Sequence, residues 1–85
     1  MNELQYKMNF FPLNTLGKII GFDESLENVP IKIIEMGLFP EVSFKILYEA
    51  PFRGPLYIEF GRENTRLALR KEEAELILVE KIENI

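Results

Sequence analysis

Between Val42 and Ala50 the chain alternates at every step. Val42, Phe44, Ile46, Tyr48 and Ala50 fall on one phase, and Ser43, Lys45, Leu47 and Glu49 on the other. Successive side chains of a strand point to opposite faces, so a period of two predicts a strand with one buried face. That phase places Phe44 and Ile46 in the core. A lone strand cannot satisfy its backbone, and the residues downstream supply partners. Pro51-Phe52-Arg53-Gly54-Pro55 must turn, because two prolines cannot donate to a ladder. Leu56, Ile58 and Phe60 then alternate with Tyr57 and Glu59. Gly61-Arg62-Glu63-Asn64 makes another turn, and Thr65 to Arg70 reads as a further strand with Leu67 and Leu69 on one face.

Upstream, Gly17 to Phe22 reads as a short strand punctuated by glycines. A polar loop from Asp23 leads into a helix expected over Asn28 to Met36. Asn28 or Val29 is its N-cap, and Pro30 sits in the first turn, where a missing N–H leaves nothing unpaired. Ile31, Ile34 and Leu38 recur at helical spacing and are expected to form the core-facing stripe. Gly37 stands where a left-handed C′ residue is wanted, and Pro40 prevents continuation. Downstream, Lys71 to Glu75 makes a single acidic helical turn. Ile77, Val79 and then Ile82 mark a closing strand. Residues 1–12 show no period and are expected as a lead-in, with Phe10 and Phe11 as candidates to cap one end of the core. The sum is a mainly β fold: about five strands and one or two short helices, closed into a small barrel over residues 13–85, since closure hides sheet edges.

Function classes fall away on composition. The 85 residues suffice for one domain, and no apolar run reaches the roughly 18 residues of a spanning helix. The first residues lack the basic-then-apolar layout of a signal peptide. With no cysteine there is no disulfide framework, so a cytoplasmic setting is expected. The absence of both histidine and cysteine removes most nucleophile and base arrangements. Ser25 and Ser43 have no imidazole to activate them. Glu49, Glu59, Glu72, Glu73 and Glu75 read as a solvated charged surface rather than paired catalytic carboxylates. Asp23, Glu24 and Glu27 match no calcium-loop spacing, so no dedicated metal site or cofactor is expected. A net charge of −4 with scattered cations argues against nucleic acid. The expectation is an interaction module and not an enzyme. Its candidate contacts are the rigid hairpin Pro51, Phe52, Arg53, Gly54 and Pro55, where loops on a barrel commonly carry recognition. Leu38 and Phe39 join them on the turn after the helix. Leu38 reads first as core, and Phe39 is open between core and an exposed apolar groove.

Three segments in register carry a resemblance: Glu35-Met36-Gly37-Leu38-Phe39-Pro40, Ala50-Pro51-Phe52-Arg53-Gly54-Pro55, and Leu67-Ala68-Leu69-Arg70-Lys71-Glu72-Glu73-Ala74. Together, over roughly Leu13 to Val79, the chain resembles the ferrous-iron transport protein A (FeoA) family. That family has a Gly-Leu-x-Pro-Gly turn, an Ala-Pro-x-Gly-x-Pro hairpin and a Leu-x-Leu-Arg strand before a Glu-Ala turn. The resemblance implies an SH3-like barrel and a small cytosolic accessory protein of bacterial ferrous iron uptake. The implied partner is the GTPase domain of the membrane permease FeoB, with membrane contact only through it. An alternative is a stand-alone relative of the SH3-like domain at the C-terminus of iron-dependent repressors. Three departures stand out. Glu41 replaces the glycine after Pro40, which leaves the type of that turn open. Arg53-Gly54-Pro55 replaces Gly-Asp-Pro, and the Gly61–Arg66 connection is longer.

Overall fold

The computed structural model describes residues 5–23 and 31–82. Six antiparallel strands form one sheet: β1 (Gln5–Lys7), β2 (Gly17–Phe22), β3 (Ser43–Glu49), β4 (Leu56–Phe60), β5 (Thr65–Leu69) and β6 (Ile77–Lys81). Their spatial order is β1-β6-β2-β3-β4-β5, so β1 and β5 are the edges. Two helices interrupt them, α1 (Ile31–Glu35) between β2 and β3 and α2 (Lys71–Ala74) between β5 and β6. β2 pairs with β3 at only two positions, Gly17 with Phe44 and Lys18 with Ser43, against five with β6. That short ladder is where the sheet folds over. The β1-β6-β2 half packs on the β3-β4-β5 half around a core that includes Ile19, Phe44, Ile46, Ile58, Ile77 and Val79, each no more than 2% exposed.

Within the segment expected as a lead-in, Gln5–Lys7 form a strand of this sheet. Gln5, Tyr6 and Lys7 pair with Glu80, Val79 and Leu78. A single 3₁₀ turn, Met8–Phe10, comes next and drops Met8 and Phe11 into the core, 0% and 5% exposed. Among the described residues the strands number six, one more than the about five expected. Phe11 packs edge-on to Tyr6 and tilted against Phe44, with centroids 5.2 Å apart in each pair. Both Phe11 and Phe44 lie over Gly17. A Cβ there would come within 2.8 Å of each ring, so only glycine lets the two aromatics meet the backbone. Phe10, the other expected cap, is 73% exposed.

Two β-bulges change the faces the alternation predicted. In β3 the register runs from Ile46 opposite Ile58 directly to Tyr48 opposite Tyr57, which makes Leu47 the extra residue. Phe44 and Ile46 point inward as expected, but Tyr48, on the same phase, turns out to solvent at 53% exposure. In β2 the extra residue is Ile20, which lets Ile19 and Phe22 both reach the core across a gap of three.

The cap of α1 matches expectation while its stripe does not. Gly37 has φ +102°. Leu38 N–H donates to Ile33 C=O (3.2 Å) and Gly37 N–H to Ile34 C=O (3.0 Å), the two bonds of a Schellman motif. That motif joins Leu38 to Ile33 in the core, both buried, and leaves Ile31 and Ile34 at 61% and 37% exposure. The stripe begins on Ile33 rather than Ile31 because the C-terminal cap sets the roll of so short a helix. The expected start at Asn28–Pro30 lies outside the described residues, as do Glu24, Ser25 and Glu27. α2 is the expected acidic turn: Glu73 Oε1 accepts from the Arg70 N–H at 3.0 Å, which satisfies one donor at the helix start.

Candidate protein-interaction site

The Pro51–Pro55 hairpin closes the β3–β4 ribbon. Ala50 N–H donates to Pro55 C=O (3.0 Å) and Gly54 N–H to Pro51 C=O (3.2 Å). Phe52 and Arg53, the two central residues, both have φ +59°. Two left-handed residues in succession match a type I′ turn, whose usual occupants are Asn and Gly. A phenylalanine and an arginine there each store strain of about 1–2 kcal/mol. Gly54 is sterically required, since a Cβ would lie 2.6 Å from the Ala50 Cβ. Phe52 is 100% exposed and touches nothing that repays the strain. Tyr48 and Tyr57 face each other just behind this turn, centroids 5.8 Å apart and both substantially exposed. The hairpin end of the ribbon is thus an exposed aromatic surface carrying one cation.

The second candidate region is the turn from Gly37 into β3. Val42 N–H donates to Phe39 C=O (3.2 Å), with Pro40 second and Glu41 third in the turn. Glu41 has φ +81°, the value a type II turn demands at that place. The turn therefore keeps the glycine conformation although it holds glutamate. Ile19 C=O accepts from Glu41 N–H (2.8 Å), and Ile19 N–H donates to Val42 C=O (2.9 Å). These bonds fasten the turn to β2 and leave it no other conformation. Residues 41 and 53, the two positions where the chain departs from a glycine of the motifs it resembles, thus hold charged residues in the left-handed region.

Beside this turn runs a groove of about 450 Å³. Phe39, Glu41 and Val42 line it from the turn, and Phe60, Gly61 and Arg62 line it from the end of β4 and the turn that follows. Gly37 helps shape it, because a Cβ there would press on the Phe60 ring at 3.1 Å. Phe39, left open by sequence, lines this groove at 46% exposure. Leu38 does not reach the surface: at 0% exposure it belongs to the core and is withdrawn as a contact. The two regions also stand apart. They flank opposite ends of β3, whose seven residues span about 20 Å. Sequence reasoning missed the Tyr48–Tyr57 pair, which only the bulge turns outward, and the Phe60–Arg62 lining, which only strand pairing brings beside Phe39.

Several of the charged groups pair with one another. Lys7 reaches Asp23 (3.3 Å), Lys18 reaches Glu41 (3.4 Å) and Glu80 (3.6 Å), Lys71 reaches Glu49 (3.5 Å), and Arg66 Nε donates to Glu59 at 3.0 Å. These are surface pairs of modest individual worth. Among the described residues no three carboxylates converge to hold a metal ion.

A bent antiparallel sheet of this order, with a single-turn helix before its last strand and a tight β3–β4 hairpin, defines the chain as a small SH3-like barrel domain. The FeoA domain model matches residues 6–81, and the chain belongs to that family. Among solved structures, it matches a FeoA-like protein from Clostridium acetobutylicum at 27% identity and a TM-score of 0.81, covering 99% of this chain and 94% of that one. A zinc-complexed FeoA from Stenotrophomonas maltophilia, described as a prokaryotic SH3 domain protein, matches at 24% identity and 0.71, covering 88% and 89%. A manganese-dependent transcriptional repressor shares the fold at 11% identity and 0.81. There 96% of this chain covers 39% of the repressor. No curated protein matches. Membership ties the chain to a family of small domains whose members include one named as an iron(II) transport protein.

Proposed function

We propose that this chain is a cytosolic accessory protein of bacterial ferrous iron uptake that docks on the GTPase domain of a FeoB-type permease. The observation that carries the reading is the hairpin tip, with Phe52 fully exposed and Phe52 and Arg53 both held in left-handed backbone. Strained, exposed residues persist where a function uses them, and aromatic and arginine side chains dominate binding energy at protein interfaces. Tyr48 and Tyr57 extend the same surface. The location follows from the partner: the chain meets the membrane only through the permease. The Stenotrophomonas relative is itself named as a candidate ferrous iron transport activating factor, which supports the reading.

The test is ferrous iron uptake in cells lacking this chain. Re-expression of the parent is expected to restore uptake, while Phe52→Asn, which keeps a left-handed-tolerant residue but removes the ring, restores little. Full uptake with Phe52→Asn would remove the hairpin from the mechanism. Unchanged uptake on deletion would remove the transporter role. The reading as a repressor-domain relative rests on the shared fold, and salt-sensitive binding in a DNA mobility-shift titration would favour it instead.

A further inference from the structure

Among the described residues, five that are not glycine have positive φ: Asn14, Glu41, Phe52, Arg53 and Asn64. Asparagine tolerates that region. The three residues that do not are confined to two places, the hairpin tip and the rim of the Phe39–Phe60 groove. The two are complementary. One end of the ribbon presents a protruding apolar ring beside a cation. The other presents an apolar cleft with a carboxylate on its wall, the Glu41 side chain being 80% exposed despite its contact with Lys18. They lie about 20 Å apart along one rigid ribbon, so a single molecule cannot join them.

We infer that the hairpin of one copy docks in the groove of a second, with Phe52 against the exposed Phe39 over the largely buried Phe60 ring and Arg53 facing Glu41. Arg62 also lines the groove, so seating Arg53 toward Glu41 and away from Arg62 avoids like charge and gives the contact a direction. Such a contact is heterologous: each copy uses a different face to give and to receive, so it leaves a free hairpin at one end and a free groove at the other. A contact made by one hairpin tip is of the small, transient kind, and association is expected over roughly 0.1–1 mM. Docking hides the hairpin from every other partner. The inference is independent of the transporter reading, since the isolated chain suffices to test it.

The experiment is sedimentation equilibrium of the isolated chain across that range, joined to ¹⁵N NMR dilution. The average mass is expected to rise with concentration, and amide shifts to move at both Phe52–Gly54 and Phe39, Gly61 and Arg62. Phe52→Asn is expected to abolish both effects. Glu41→Arg is expected to weaken association at least tenfold, the double change Glu41→Arg with Arg53→Glu to restore it, and Arg62→Glu to strengthen it. A mass that stays monomeric throughout, or association that survives Phe52→Asn, overturns the inference. So does a double variant no better than Glu41→Arg alone.

Discussion

Glu41 shows how much a single backbone angle can reveal. Its φ of +81° is imposed from outside, by hydrogen bonds that tie residues 41 and 42 to Ile19, and glycine would adopt it without the Cβ clash. Replacing glutamate with glycine relieves about 1–2 kcal/mol. Set against this are the greater freedom of glycine in the unfolded chain and the loss of one exposed ion pair. Glu41→Gly is therefore expected to stabilise by about 0.5–1 kcal/mol, a rise in Tm of roughly 2–8 °C, read by thermal melt. A lower Tm would mean that the Lys18–Glu41 contact outweighs the backbone term. Phe44 illustrates the opposite case. Buried at 2% against Phe11 and the bare backbone of Gly17, it has no small neighbour able to fill its space. Phe44→Ala is expected to cost about 3–5 kcal/mol in denaturant unfolding, and an unchanged midpoint would contradict its place in the core.

At the scale of elements, sequence and structure agree where a local rule acts alone. Gly37 at the helix end, Leu56, Ile58 and Phe60 inward on β4, and the acidic turn of α2 were legible because cap chemistry and unbroken alternation suffice to specify them. The failures have physical causes. A bulge inserts one residue and flips every later side chain, so Tyr48 could not be assigned without knowing that Tyr57 is its partner. The roll of α1 depends on where Leu38 is drawn by the core, not on spacing within a short helix. β1 has only three residues and no period of its own; it is a strand because β6 offers an edge. Of the site, the hairpin was legible from its prolines, while the groove, built from segments about twenty residues apart, was not. The corrected role of the N-terminal segment makes a prediction. Met8→Ala, which empties a fully buried position, is expected to cost about 2–5 kcal/mol. Removal of residues 1–12 is expected to collapse the dispersion of the amide spectrum. A truncated chain with the parent's spectrum and Tm would show that β1 and the 3₁₀ turn merely decorate the barrel.

On the proposed function, the molecule as a whole separates stability from recognition along one ribbon. The inward faces of β3 and β4 carry Phe44, Ile46, Leu56 and Ile58 in the core, while the ends of the same strands carry the strained, exposed residues. A rigid scaffold of this kind holds its contact residues in place before a partner arrives, which reduces the ordering cost of binding. Hairpin substitutions should then alter affinity without altering folding, and core substitutions the reverse. The most direct measurement is the affinity of the permease's isolated GTPase domain for this chain, by titration calorimetry, with the parent and with Phe52→Asn. The expected result is binding by the parent and at least a tenfold loss in the variant, with the two melting curves within about 0.5 kcal/mol of each other. Equal affinity for parent and variant would contradict the hairpin as the contact, and no binding by the parent would contradict the partner.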